Sequence, residues 1–274
     1  MRIAMIQMPV VDDKAKNIET ALNYIKSAAE SGADIAVLPE MFNSPYADEY
    51  FRPYSEKAGG ETFSALSRAA KENNIIVVGG SIPELDGEKL YNTCFIFDES
   101  GKNIACHRKA HLFDIDVPNG QRFFESNTFS RGEQVTVFDT KFGKIGVCIC
   151  FDMRFPELSR CMALKGAKTI IVPAAFNMTT GPAHWELMFR QRAVDNQLFT
   201  IGVSPARDEN GCYVAYGNSI ACDPWGRIIE RADAAETMLT VDIDLSKVDE
   251  IRAQLPLMKS LRKELYLPDI ENLM

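Results

Sequence analysis

Short, nearly unbroken apolar runs recur along this chain, and they constrain its fold more than any other feature. RIAMIQM (2–8), ADIAVLP (33–39), IIVVGGSI (75–82), NTCFIFD (92–98), KNIACHRK (102–109), KIGVCIC (144–150), TIIVPAA (169–175), LFTIGVS (198–204), NSIACD (218–223) and MLTVDID (238–244) all read as strands. Several alternate so little with polar residues that their sheets are expected to be covered on both faces. Helical patterns lie between some of them. NIETALNYIKSAAESG sets Ile18, Leu22, Ile25 and Ala29 on one face and ends at Gly32, and ETFSALSRAAKENN repeats the arrangement with Phe63, Leu66 and Ala70. FPELSRCMALKG and PAHWELMFRQRAVDNQ each carry proline in the first turn, a helix-start signal. Strand and helix therefore alternate, with a hairpin-like pair at 92–98 and 102–109, and the sequence predicts a layered α/β protein. No internal repeat or Pro/Ser-rich linker interrupts it, so one domain is expected over residues 1–274.

Composition excludes some classes of partner. The formal net charge is -8 and the sequence pI about 5.1, whereas phosphate backbones need clustered Lys and Arg, so no nucleic acid is expected. MRIAMIQMPVVDDK lacks the long apolar core of a signal peptide, and no run approaches the length of a membrane span. A cytoplasmic protein with no membrane partner is expected. The seven cysteines, Cys94, Cys106, Cys148, Cys150, Cys161, Cys212 and Cys222, are odd in number and form no CxxC pair, which fits reduced thiols.

Three residues stand where strands give way to turns. Cys150 closes an apolar run that leads through a short turn into a helical pattern, the position where open α/β folds present ligand-binding groups. The positive end of that helix, with Arg154 nearby, would favour thiolate, and the Phe151 N–H could help hold an oxyanion. Glu40 directly follows the run ending at Pro39, where burial would raise its pKa towards the range of a general base. Lys109 also closes a strand, and an ammonium can stabilise a developing oxyanion without proton transfer. Taken singly, each has a plainer meaning: a small buried thiol, a solvated loop carboxylate, a surface lysine.

Together they match a pattern. LPEMF around Glu40, HRKAHLFDID around Lys109 and GVCICFDMRFPEL around Cys150 resemble, in order, the Glu–Lys–Cys triad of the carbon–nitrogen hydrolase (nitrilase) superfamily. The resemblance runs from IAMIQ to DPWG at Asp223–Gly226, and Glu125 in RFFES matches that family's auxiliary glutamate. It implies a four-layer α-β-β-α sandwich, pairing into an eight-layer homodimer through helices that include the one after Cys150. It also implies cysteine-based amide hydrolysis: Cys150 as nucleophile, Glu40 as base, Lys109 and the Phe151 N–H on the oxyanion, Glu125 orienting the amine. Lys109→Ala is then expected to slow turnover strongly without unfolding the protein.

NSPYADEYF, GGSIPE, LYNTC, AFNMTTGPAHWELMFRQRAVDNQ and SPARD narrow the resemblance to the ω-amidase branch, whose members hydrolyse the terminal amide of α-ketoglutaramate and α-ketosuccinamate. Ala47 and Cys148 depart from small, glycine-like positions of that branch, which touches loop shape and not chemistry. A small carboxylated amide needs a cation and a few donors. Arg154 is the first candidate for the carboxylate, with the alternative that it pairs with a neighbouring acid. Tyr46 could donate to a substrate oxygen, and Thr179, Thr180 and His184 could line the approach, His184 alternatively fastening a loop or dimer contact. Deaminated glutathione amidase and N-carbamoyl amine hydrolase remain sibling alternatives. From other classes come a zinc protein, a Cys–His hydrolase built on His107, His111 or His184, and an inactive binding module. HRKAH follows a β-type run, so its two imidazoles need not share a face, and no metal or cofactor is expected.

Overall fold

A computed structural model describes residues 1–118, 120–262 and 264–265. Two sheets make the centre. The first holds β1 (Arg2–Gln7), β2 (Ile35–Val37), β3 (Ile76–Val78), β4 (Ile82–Asp86), β5 (Lys89–Phe97), β6 (Asn103–Arg108) and β15 (Thr237–Asp242). β1, β2 and β3 are parallel, β15 flanks β1 antiparallel, and β5 pairs with β3, β4 and β6. The second sheet runs β14 (Ile228–Arg231), β13 (Ile220–Cys222), β12 (Phe199–Val203), β11 (Thr169–Pro173), β10 (Gly143–Val147), β9 (Thr136–Thr140), with β10, β11 and β12 parallel. A separate hairpin joins β7 (Asp114–Asp116) to β8 (Arg122–Phe124).

The period of two along each strand sorts side chains into layers. Ile3, Met5, Ile35, Val37, Ile76, Val78, Cys94 and Ile96 join the core shared with the second sheet. Their neighbours Ala4, Ile6, Ala36, Leu38, Val77, Phe95 and Phe97 pack outward with α1 (Lys14–Glu30) and α3 (Glu61–Asn73). α1 starts at Asp13, whose carboxylate accepts the Lys16 N–H at 3.0 Å, and Gly32 just past its end has φ +77°. On the far side, a Cβ on Gly146 would meet Met162 of α4 (Pro156–Leu164), and one on Gly202 would meet Phe189 of α5 (Gly181–Asn196). The glycines let both helices lie close on the sheet. The layers are helix, sheet, sheet, helix.

Two expected strands are shorter than their apolar runs. IIVVGGSI breaks into β3 and β4 because Gly80 adopts φ +57°, where a Cβ would sit 2.1 Å from the Pro39 carbonyl oxygen. KIGVCIC leaves the sheet after Val147, and Cys150 opens a 3-10 turn, Cys150–Arg154. The expected hairpin forms as β5 and β6. The short helix α2 (Asp48–Tyr54), with Pro53 inside it, carries no periodic signature, nor do β7 and β8. α6 (Ser246–Gln254) follows β15. No described helix is long and apolar enough to cross a membrane. The sequence left open whether the tail at about 255–274 crosses to a partner; half of that segment, residues 263 and 266–274, lies outside the described residues.

Candidate active site

Glu40, Lys109 and Cys150 come from the ends of β2, β6 and β10, two strands of one sheet and one of the other. After β2 the chain turns sharply: Met41 has φ +52°, its N–H held by Ser81 Oγ at 3.0 Å. After β10 it turns again at Cys150, whose φ of +46° is rare for a side-chain-bearing residue. These elbows leave Glu40 and Cys150 at the seam where the two sheets meet. Lys109, a surface residue by default, is fully buried there.

Lys109 Nζ lies 2.8 Å from Glu40 Oε1 and 2.8 Å from Glu125 Oε2, with both carboxylates fully buried. Asn92 Nδ2 donates to Glu40 Oε1 at 2.9 Å and Glu125 Oε1 at 3.0 Å. Tyr46 Oη lies 3.4 Å and 3.3 Å from the same two oxygens, and the Phe113 N–H donates to Glu125 Oε2 at 2.6 Å. Glu40 Oε2 alone among these oxygens has no N–H or O–H partner among the described residues. Cys150 lies against Glu40 and the Ala175 N–H.

Burial raises the Glu40 carboxyl above its ordinary range, Lys109 opposing and Glu125 reinforcing the shift. Burial alone would lower the Lys109 ammonium, but the charges of Glu125 and Glu40 outweigh it, and the amine stays protonated. Burial and then Glu40 push the Cys150 thiol well up, against the pull of Lys109 and the Ala175 N–H. The expected thiolate is therefore corrected. α4 begins only at Pro156, Cys150 instead opening the short 3-10 turn, and burial beside the Glu40 carboxylate favours the neutral thiol.

A narrow cleft of about 10 Å³, room for about one water, reaches Cys150 between Phe113, Phe151, Arg154, Phe176 and Thr180. Arg154 pairs with no acid among the described residues. Its Nη1 lies 3.2 Å from His184 Nδ1, and its guanidinium sits 5.0 Å from the Phe176 ring and 5.6 Å from that of Phe151. Burial lowers its pKa. His184 thus supports Arg154 from behind the cleft. Thr180 lines the cleft and is held by Asn177 Oδ1, while Thr179 is exposed and turned towards Gly120, which corrects its expected place. Tyr46 lies away from this cleft, on a second cavity of about 60 Å³ shared with Glu40, Tyr213 and Cys212.

Two contributors escaped the candidate residues. Tyr213 donates to the Ala175 carbonyl and packs 4.8 Å from Tyr46, and nothing in its irregular segment signals that. Asn92 was within reach: its carbonyl accepts the Lys109 N–H at 2.8 Å, so the predicted hairpin already set it opposite Lys109.

A buried thiol, a carboxylate and an ammonium at one strand-end seam define a hydrolase of the cysteine type. The carbon–nitrogen hydrolase family model matches residues 2–253, and the chain belongs to that family. It is 50% identical over 265 residues to mouse omega-amidase NIT2, covering 97% of this chain and 96% of that protein. The crystal structure of Saccharomyces cerevisiae Nit3, a member of branch 10 of the nitrilase superfamily, is 43% identical and superposes with a TM-score of 0.87 over 94% of each chain. An amidase from Nesterenkonia sp. AN1, solved with acrylamide added at its active-site cysteine, is 26% identical with a TM-score of 0.74 over 93% of this chain and 98% of that one.

Proposed function

We propose that the protein is an ω-amidase-type enzyme, hydrolysing the terminal amide of a small carboxylated substrate to acid and ammonia through a thioester on Cys150. Cys150 Sγ attacks the amide carbon while Glu40 takes the thiol proton on Oε2. Lys109 and the Phe151 N–H stabilise the tetrahedral oxyanion. The C–N bond breaks as Glu40 returns the proton to the leaving nitrogen, releasing ammonia. Glu40 then deprotonates water, whose attack on the thioester frees the acid and the thiol. Glu125 and Asn92 hold the amine and base in register, Tyr46 bonds both carboxylates, and Arg154 takes the substrate carboxylate at the cleft bordered by Thr180.

The observation that carries this is the set of contacts among strand ends: the 2.8 Å ion pairs of Lys109 with Glu40 and Glu125, with Cys150 beside the Glu40 carboxylate. Arg154, half-buried and without an acidic partner among the described residues, supports a carboxylated substrate. A homodimer is proposed across α4 and α5: Leu187 and Val194 of α5 and the neighbouring Trp225 are exposed. Seven free thiols support a reducing, cytoplasmic setting.

The test is an ammonia-release panel of α-ketoglutaramate, α-ketosuccinamate, deaminated glutathione, N-carbamoyl amines and simple nitriles, run with wild type and Cys150→Ala. Highest kcat/KM on the keto-acid amides, abolished in Cys150→Ala, is expected. Preference for deaminated glutathione or a carbamoyl amine would move the enzyme to a sibling branch, and turnover by Cys150→Ala would end the thioester mechanism.

A further inference from the structure

HRKAH sends Lys109 into the site and leaves two histidines that touch none of its reacting groups. His107 is fully buried, with Nε2 2.9 Å from Asp152 Oδ2 and Nδ1 3.0 Å from Thr136 Oγ1. His111 brings two donors to the other oxygen of the same carboxylate: its backbone N–H at 2.8 Å and its Nδ1 at 2.8 Å from Asp152 Oδ1. The Ile149 N–H completes the set, 3.0 Å from Asp152 Oδ2. Each oxygen thus accepts two N–H bonds, which satisfies a buried carboxylate without a metal or a lysine.

Three of these donors belong to the residues flanking Lys109, and the fourth belongs to the residue before Cys150. Asp152 itself lies inside the turn that Cys150 opens. A carboxylate that only accepts fixes the proton on Nε2 of His107 and on Nδ1 of His111. Burial would raise the Asp152 carboxyl, but the hydrogen bonds from His107 and His111 hold it well below the usual range, so it stays an acceptor. Cys150, at φ +46°, occupies backbone that an L residue keeps only when its surroundings enforce it. The Asp152 carboxylate provides that enforcement and anchors it to the segment carrying the amine.

We propose that Asp152, His107 and His111 form a positioning latch that fixes the Cys150 elbow against the strand end bearing Lys109, setting the distance between sulfur and ammonium without touching substrate. This rests on the assignment of Cys150 and Lys109 as nucleophile and oxyanion stabiliser. The latch acts on the chemical step, because displacement of a reacting group by about 1 Å costs on the order of a hundredfold in rate. Substrate affinity is set elsewhere, at Arg154.

His111 offers the cleanest test, since its side chain is 33% exposed and its loss leaves no large cavity. In His111→Asn, the amide N–H can replace the Nδ1 donor; in His111→Leu nothing can. Both variants lose the stacking of the imidazole on Phe155, 3.7 Å between centroids, so their difference isolates the hydrogen bond. With the keto-acid amide preferred by wild type, His111→Leu is expected to lower kcat about 10–100-fold with KM within about threefold, and His111→Asn to stay within about threefold of wild type. Equal kcat in the two variants, or a KM rise matching the kcat loss, would overturn the latch. Should His111→Leu fail to fold, His111→Ala gives the same comparison. Wild-type turnover abolished in Cys150→Ala tests the enzyme assignment separately, so failure of the latch alone leaves that assignment standing.

Discussion

Replacing Lys109 with methionine takes one charge from the middle of a buried cluster while nearly conserving volume. In the wild type its Nζ lies 2.8 Å from both Glu40 and Glu125, all three side chains being fully buried. Without it the two carboxylates face each other with Asn92, Tyr46, the Phe113 N–H and the Cys150 thiol as donors. Removing one partner of a buried ion pair costs about 3–5 kcal/mol. In a protein of this size that corresponds to a Tm loss of roughly 6–20 °C. The sequence alone predicts that loss of Lys109 leaves the fold untouched; its burial between two acids revises that.

A proton can replace part of the missing charge, which fixes the sign of the pH dependence. Burial already raises the Glu40 carboxyl, and losing the opposing ammonium raises it further. A carboxyl with a folded pKa above its unfolded value binds its proton more tightly in the native state. Stability is then greatest below the unfolded pKa and falls as pH rises towards and through the folded one. The Tm deficit of Lys109→Met against wild type should therefore be smallest near about pH 5 and grow towards about pH 8. Calorimetry across that range measures it, and ammonia release measures the rate, expected to fall about 10²–10³-fold for loss of an oxyanion donor. A deficit that stays flat from acid to base would refute the account of the carboxylate pair. Wild-type turnover would remove Lys109 from oxyanion stabilisation.

Arg154→Met should raise KM for keto-acid amides roughly 10–100-fold, the worth of a charge-assisted hydrogen bond, and leave KM for neutral amides nearly unchanged. An equal rise on both substrate classes would remove its carboxylate role. Leu187→Glu, on the exposed face of α5, should convert a dimer to monomer in sedimentation velocity without lowering Tm, and an unaltered sedimentation coefficient would place any dimer contact elsewhere.

The layered fold and the three strand-end residues were legible because each has a local signature. Continuous apolar runs marked the inner strands, and β5 with β6 was visible as a hairpin. Where backbone strain intervenes, legibility failed. Cys150 opens a 3-10 turn at positive φ between β10 and α4, a detail no propensity registers, and the thiolate inference falls to its burial beside Glu40. Arg154 was legible as a cation near the nucleophile, but its lack of an acidic partner is a tertiary fact. Thr179 and Thr180 are neighbours in sequence, yet the Asn177 carbonyl turns only Thr180 inward. The Asp152 cluster was hidden for a different reason. Its donors come from segments 41 and 45 residues away, and the histidines invited a metal reading that only their convergence on one carboxylate resolves.

The charges in this cluster also explain why two acids accompany one amine. Burial, reinforced by Glu125, raises the Glu40 carboxyl while the Lys109 ammonium opposes the shift, so the proton acceptor beside the neutral thiol is held above the ordinary carboxyl range. On the proposed mechanism, attack moves the thiol proton to Glu40 and puts the charge on the substrate oxygen beside Lys109. The total is unchanged; only its place has shifted, from a carboxylate already paired with the amine to an oxyanion that takes over that amine. Creating a new charge in low dielectric would cost several kcal/mol, whereas relocating one between acceptors of the same ammonium avoids that penalty. On the same mechanism, loss of Glu125 would remove one of the two influences that raise Glu40 as a proton acceptor, so the auxiliary glutamate would act through electrostatics as well as through its hold on the lysine.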